Sequence, residues 1–277
     1  PAEAGRYHIY YAHACPWAYR TLVFRALKGL EDVISVSHVE PLMLENGWEF
    51  GPGGDPLTGE PTLHHVYARA VPDYTGRCSV PVLWDKERET IVNNESAEII
   101  RMLNSEFDAF ATRDLPDMYP EDLRAEIDAV NAQVYDNVNN GVYRTGFATT
   151  QEAYEEAFDG LFATLDGLEE RLAGQRYLCG ERLTEADWRL FATLVRFDAV
   201  YFGHFKCNLR RIADYPALSN YTRELYQWPG IAEITDIPRI KQHYYGSHRA
   251  INPFGIVPKG PALDLDAPHD RARLPAA

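Results

Sequence analysis

Tyr7-His8-Ile9-Tyr10-Tyr11-Ala12-His13-Ala14-Cys15-Pro16-Trp17 is the stretch on which the reading of this chain turns. Residues 7–12 are aromatic and β-branched, the composition of a strand. Cys15-Pro16-Trp17 then opens a helical pattern that runs through Thr21, Leu22, Val23, Phe24, Leu27 and Leu30 and closes near Gly29. Pro16 fits at the start of that helix, because a first-turn residue needs no N–H for the helical ladder. Outward from here, residues 33–39 alternate with period two and read as a second strand. Residues 41–76 are rich in Gly and Pro, and are too long for an ordinary connection. Residues 80–85 and 90–92 read as a hairpin, and 97–103 as a helix.

A βαβ unit followed by a hairpin and a helix resembles a thioredoxin-like domain. From about Pro120 the character changes to helices alone. Tyr154, Ala157, Phe158, Leu161, Phe162, Leu165, Leu168 and Leu172 recur at three- and four-residue steps, the pattern of one amphipathic helix. Thr184-Glu185-Ala186-Asp187 is a capping box, flanked by Leu183 and Trp188 where a hydrophobic staple would sit. That helix runs on through Leu190, Leu194 and Phe197. The tail after Asn252 is rich in Pro, Asp and Ala, and is expected to wrap the surface or stay disordered. The expected fold is α/β plus all-α: a thioredoxin-like domain over residues 1–112 and a helical domain over 113–277, with the active site in the cleft between them.

Composition narrows the class. The chain has 277 residues, 45% hydrophobic and 25% charged, as expected of a globular protein. No apolar run approaches the roughly 18 residues of a membrane span. The 41 acids outnumber the 27 bases, giving a formal charge of −14, so no excess of bases is present to neutralise phosphates. Neither a membrane nor a nucleic-acid partner is expected. Only 5 of the bases are Lys, a composition that keeps a salt-adapted source open. The four cysteines, Cys15, Cys78, Cys179 and Cys207, contain no CxxC pair and are too few for a disulfide scaffold. A reducing, cytoplasmic setting is the expectation. The chain opens at Pro1 and runs almost at once into a strand, which points to a longer natural N-terminus.

Cys15 carries the sharpest chemistry. A thiol at a helix start faces unpaired N–H groups and the positive end of the macrodipole, both of which favour thiolate. Such placement can lower a cysteine pKa from about 8.5 to roughly 3.5–7.5. Ala18 stands where a CxxC motif would have its second thiol, so a mixed disulfide formed here needs an outside thiol to clear it. The plainer reading is a buried cysteine used as a small hydrophobe. Ser79-Val80-Pro81 precedes a strand, and a proline there belongs at the strand start, a place compatible with a cis bond. The turn would leave the Val80 N–H and C=O to pair with an extended peptide-like ligand; it also reads as a turn proline with no ligand. Glu95-Ser96 stands at a helix start, where hydroxyl and N–H groups grip a carboxylate and Glu95 pairs with an ammonium. Taken alone, these residues also read as an ordinary helix cap. A thiolate, a peptide-like edge and a cap for a zwitterion together match glutathione.

The sequence resembles the glutathione transferases, specifically the xi class of glutathionyl-hydroquinone reductases. The matching stretches are Ala14-Cys15-Pro16-Trp17-Ala18-Tyr19-Arg20-Thr21, Gly47-Trp48-Glu49-Phe50, Val80-Pro81-Val82-Leu83-Trp84-Asp85 and Ile91-Val92-Asn93-Asn94-Glu95-Ser96. Further on they are Asn139-Asn140-Gly141-Val142-Tyr143, Arg196-Phe197-Asp198, His204-Phe205-Lys206-Cys207-Asn208 and Ile240-Lys241-Gln242-His243-Tyr244-Tyr245. The resemblance implies Cys15 as nucleophile, Trp48 as a glutathione contact, and Arg77, Cys78, Ser79, Val80, Pro81, Glu95 and Ser96 as the rest of the glutathione site. It implies that Tyr143 exchanges a proton with the hydroquinone, and that Tyr201 and Tyr244 help lower the cysteine pKa. It also implies a homodimer, and several dozen residues ahead of the first strand.

The activity implied is glutathione-dependent reduction of glutathionyl-hydroquinones, through a Cys15 mixed disulfide cleared by a second thiol. The partners are then small quinone thioethers and a low-molecular-weight thiol: glutathione as co-substrate, or γ-glutamylcysteine. The alternatives are a general thioltransferase or dehydroascorbate reductase that uses Cys15 in the same way, and a non-enzymatic association module. No metal is expected, since the adjacent His64 and His65 cannot easily share one ion and no third ligand follows them. Cys78, Cys179 and Cys207 read as packed, structural thiols.

Overall fold

A computed structural model of the chain describes residues 1–276. The described residues divide into two compact units, 1–116 with 233–247, and 117–232 with 248–276.

In the first unit, β1 (Tyr7–Tyr11), β2 (Ser35–His38), β5 (Val82–Asp85) and β6 (Thr90–Asn93) form one sheet in the order β2-β1-β5-β6. β1 pairs in parallel with β2 across the helix α1 (Pro16–Leu27), and antiparallel with β5. All five residues of β1 are buried, which matches the lack of polar alternation in its sequence. α1 ends where Gly29 takes a positive φ of 63°. An added Cβ at Gly29 would sit 2.0 Å from Thr112 Oγ1, so the close passage of that segment also requires glycine. α1 packs against α3 (Ser96–Ser105).

The stretch 41–76 is not one long loop, as its Gly and Pro content suggests. It contains a ribbon of β3 (Met43–Leu44) and β4 (Gly47–Trp48), and an eight-residue helix α2 (Leu63–Ala70) that buries Leu63, Val66 and Tyr67. Three buried residues at steps of three and one are too few to register as a period. The unit is completed by α10 (Ile237–Ser247), which packs against β3. α10 falls within residues 113–277, expected to form the helical domain, yet it packs in the first unit.

The second unit contains α4 (Arg124–Val134), α5 (Gly141–Gly146), α6 (Gln151–Gly174), α7 (Glu185–Arg196), α8 (Phe202–His204) and α9 (Pro216–Tyr226). α7 packs against α4 and α9, and buries all of its residues but Arg189. The expected capping box is present. Asp187 accepts from the Thr184 N–H at 2.9 Å, and also from the Leu178 N–H and the Tyr221 hydroxyl at 2.8 Å each. The tail wraps the unit, pinned by Arg271. Its fully buried guanidinium donates to the carbonyls of Leu172 (2.6 Å), Gln175 (2.8 Å) and Arg176, which satisfies the end of α6. No helix among the described residues is long and apolar enough to cross a membrane.

Candidate active site

Cys15 is the N-cap of α1, with extended φ/ψ of −72°/114°. Its half-buried Sγ accepts from the Ala18 N–H at 3.4 Å, and its thiol donates to the Val80 carbonyl, also at 3.4 Å. These contacts oppose each other. The N–H and the helix dipole favour the thiolate, whereas a carbonyl can only accept from the protonated thiol. The first turn, Pro16-Trp17-Ala18-Tyr19, carries no acid to set against the thiolate. The Val80–Pro81 bond is cis, and both residues are buried. The sequence reading left both Val80 backbone groups to a ligand; the structure turns the carbonyl to the Cys15 thiol.

α10 flanks this thiol. The buried Tyr244 donates its hydroxyl to the Ala14 carbonyl at 3.4 Å, one residue before Cys15, while Tyr245 is half-buried. His243 Nδ1 donates to the Pro41 carbonyl at 2.8 Å, and the ring stacks on Trp48 with centroids 4.9 Å apart and planes 20° from parallel. The Ser247 hydroxyl accepts from the Met43 N–H at 2.9 Å. At Gly246 a Cβ would meet Leu42 Cδ2 at 2.5 Å. The β3–β4 ribbon thus lies tight on α10, and Trp48 is held from behind by an imidazole. Sequence reading did not single out His243, because one histidine in a helix shows no spacing that marks it.

The segment 77–81 and the start of α3 face the same phenol. Tyr67 donates to the Ser79 carbonyl at 2.8 Å, and accepts from the Ser79 N–H at 3.3 Å and from Asn94 Nδ2 at 3.1 Å. Arg77 is exposed, and its carbonyl accepts from the Tyr74 hydroxyl at 3.0 Å. Cys78 is half-buried, and burial pushes its thiol pKa up. Glu95, rather than Ser96, caps α3: its carboxylate accepts from the Ala97 N–H at 3.0 Å and lies 3.4 Å from the Ser96 hydroxyl. Ser96 is buried and Glu95 is exposed.

In the second unit Tyr143 and Tyr201 come together. Tyr143 is on α5, just after a π-helical turn at Tyr135–Asn139, and Tyr201 closes a second such turn at Phe197–Tyr201. Turns of this kind recur at functional sites. Asn139 ties the first turn to α7, donating to Thr193 Oγ1 at 2.7 Å and to the Arg189 carbonyl at 3.1 Å. The Tyr143 and Tyr201 ring centroids are 5.9 Å apart. Phe205 packs on both, edge-on to Tyr143 at 5.4 Å and stacked on Tyr201 at 5.6 Å. Phe147, exposed on one side, and His248 extend the cluster. Gly146 makes this packing possible, since a Cβ there would lie 2.1 Å from Phe205 Cγ. Cys179 and Cys207 are buried, and burial raises the Cys179 thiol to about 12 and the Cys207 thiol further. Neither suits nucleophilic work.

Comparison with known proteins agrees with both units. The models for the N-terminal and C-terminal domains of glutathione S-transferases match residues 14–106 and 151–224. The chain is 59% identical over 268 residues to "Glutathionyl-hydroquinone reductase PcpF" of Sphingobium chlorophenolicum, covering 95% of this chain and 85% of that protein. It is 55% identical to "Glutathionyl-hydroquinone reductase YqjG" of Escherichia coli, covering 98% and 84%. The glutathione-bound structure of YqjG superposes with a TM-score of 0.95, over 98% of this chain and 90% of that one. A xi class transferase from Natrialba magadii superposes with a TM-score of 0.96 at 52% identity, over 100% and 88%. The chain belongs to the glutathione S-transferase family and, within it, to the xi class that contains the glutathionyl-hydroquinone reductases.

Proposed function

We propose that this protein reduces glutathionyl-hydroquinones to hydroquinones at the expense of glutathione, with Cys15 as nucleophile. The observation that carries the reading is the Cys15 thiol at the start of α1, within reach of the Ala18 N–H and beside the Val80 edge. The Cys15 thiolate attacks the sulfur of the aryl thioether. The carbon–sulfur bond breaks, its electron pair goes to the ring carbon, and that carbon takes a proton. Cys15 is left in a mixed disulfide with glutathione. A second glutathione thiolate attacks that disulfide, releasing glutathione disulfide and the Cys15 thiolate. Carbon–sulfur cleavage is harder than thiol exchange and needs an acid for the ring carbon, the role proposed for Tyr143. Tyr201 and Tyr244 are proposed to favour the thiolate.

Glutathione recognition is assigned to Trp48, Arg77, Cys78, Ser79, Val80, Pro81, Glu95 and Ser96. A ligand amide that pairs with the Val80 carbonyl displaces the Cys15 S–H from it, so binding removes the contact that favours the protonated thiol. Glu95 offers an exposed carboxylate to the γ-glutamyl ammonium. Cytoplasmic placement and a homodimer belong to the same reading. Unbridged thiols at Cys78, Cys179 and Cys207 suit a reducing compartment, and light scattering checks the dimer.

The test is to incubate the protein with a glutathionyl-hydroquinone and excess glutathione, then quantify hydroquinone and glutathione disulfide beside Cys15→Ser. Equal release of both products, lost in the variant, is expected. If folded wild type acts on small mixed disulfides or dehydroascorbate but never on the thioether, the protein is a general thioltransferase. Turnover with γ-glutamylcysteine and none with glutathione would reassign the thiol alone.

A further inference from the structure

We infer that Tyr67 is the positioning residue of the thiol-substrate site, setting the distance between the peptide-like edge at residues 79–81 and the turn at 94–96. The inference rests on the reading that these two segments hold glutathione.

Tyr67 lies on α2, within the Gly- and Pro-rich stretch 41–76, and it is 1% exposed. A phenol buried to that degree is costly unless its hydroxyl is fully paired. A phenolic oxygen has one proton to give and two lone pairs to offer. All three capacities are used here, on Ser79 C=O, Ser79 N–H and Asn94 Nδ2. Both main-chain groups of the residue just before Val80, and the side chain of the residue just before Glu95, thus converge on one atom. The ring is itself packed: Leu63 and Val66 are buried on the same helix, and Tyr74 packs on it with ring centroids 5.0 Å apart. Tyr74 extends the brace by holding the Arg77 carbonyl.

The consequence is geometric. Ser79 lies outside any strand and is exposed, so no sheet ladder fixes its backbone. Asn94 sits between β6 and α3 and is likewise exposed. A ligand that reaches from Val80 to Glu95 spans two segments whose separation is set through the Tyr67 hydroxyl. Tyr67 touches no reacting atom. Its loss should weaken thiol binding and leave the chemistry of bound substrate intact.

The test is Tyr67→Phe, which removes one oxygen and keeps the ring, with Tyr215→Phe as control. Tyr215 is a buried phenol of the helical unit that loses one bond to Asp166 (2.7 Å). Glutathione binding is measured by titration calorimetry, turnover as a function of glutathione, and Cys15 reactivity by alkylation with iodoacetamide. Tyr67→Phe is expected to weaken glutathione binding and raise its KM about tenfold, the loss of one to two net hydrogen bonds. Its kcat and its alkylation rate are expected to stay at the wild-type level. Tyr215→Phe should lower the melting temperature and leave KM alone. Unchanged binding in a folded Tyr67→Phe overturns the inference, as does an equal fall in kcat and kcat/KM. If Tyr67→Phe does not fold, Asn94→Ala cuts the same phenol's bond from an exposed turn; a KM raised about threefold is expected, and none overturns the inference. A wild type that binds no glutathione overturns the functional reading itself, a result distinct from a wild type that binds and a variant that binds equally well.

Discussion

Gly146→Ala is a one-methyl perturbation whose cost can be worked from the packing. Gly146 is the last residue of the six-residue helix α5, and its added Cβ would lie 2.1, 2.2 and 2.6 Å from Cγ, Cδ1 and Cβ of Phe205. The atoms met are the base of the ring, not a flexible tip, and Phe205 is fully buried. Forcing a methyl into such a site costs about 1–3 kcal/mol. Replacing glycine by alanine in a helix returns up to about 1 kcal/mol. A 2.1 Å contact with the base of the ring belongs at the upper end of that cost, so the clash wins by about 2 kcal/mol, a fall in Tm of about 4–8 °C for a chain of this size. The functional effect should be larger than the stability effect. Phe205 must move, and it supports both Tyr143 and Tyr201. Displacing the proposed proton donor, Tyr143, by about 1 Å can cost 10²-fold. The assay pairs calorimetric melting with rapid-quench measurement of hydroquinone release, and with alkylation of Cys15. Release should slow at least tenfold while alkylation, which needs no ring chemistry, holds its rate. A variant that melts and turns over like wild type would refute the argument that Gly146 sets the tyrosine cluster through Phe205.

Three further outcomes follow from buried groups. Asp187→Ala strands the N–H groups of Thr184 and Leu178 and the Tyr221 hydroxyl, and should destabilise the protein by about 3 kcal/mol or more in urea titration. Arg271→Ala removes the clamp on the carbonyls of Leu172, Gln175 and Arg176, so limited proteolysis should cut the tail after residue 252 well before the rest of the chain. Acid should act through two histidines. Burial lowers His8 and His248 to about 4, so between pH 6.5 and 4 the unfolded chain takes up protons that the folded one refuses, and stability falls as pH falls. Asp187, raised by burial to about 6, acts in the opposite sense between about 6 and 4, because its folded form holds the proton more tightly. Asp198 is raised by burial as well and opposes together with Asp187. Asp55, Asp85, Asp122 and Asp214, held below the usual carboxylate range, act with the histidines as pH nears 4. A net loss is expected, and urea midpoints at pH 7.5, 6 and 4.5 check the sign.

The parts of the fold that announce themselves do so by a strong local rule. The buried run at residues 7–11, the Cys15-Pro16 helix start and the Thr184 capping box each depend on neighbouring residues, and each stands where the sequence puts it. α2 and α10 were hidden for different reasons. α2 is short and follows a run of glycines, so its buried face shows no period. α10 is legible as a helix, but nothing local tells which unit it joins; Tyr244, His243 and Gly246 decide that through contacts more than 190 residues away in the chain. The candidate site divides in the same way. The roles proposed for Cys15, Val80, Pro81 and Glu95 suggest themselves from sequence because each depends on a helix start or a turn. Tyr67 and His243 work by reaching other segments, and a lone tyrosine or histidine carries no mark of its reach.

The placement of α10 also bears on how the molecule is made. The Tyr244 hydroxyl and the Ala14 carbonyl are 230 residues apart, so the wall beside the thiol cannot form until residue 244 has left the ribosome. At about 5–20 residues per second, Cys15 is synthesised more than ten seconds before its flanking helix exists. During that interval the nascent first 116 residues can pair their strands, but lack the segment that braces Trp48 and covers the Cys15 loop. A fragment ending near residue 116 would carry the thiol and the sheet strands without the helix that stacks on Trp48. The surroundings of Cys15 are complete only once α10 has been made, so the thiol does not gain its final setting on a shorter nascent chain.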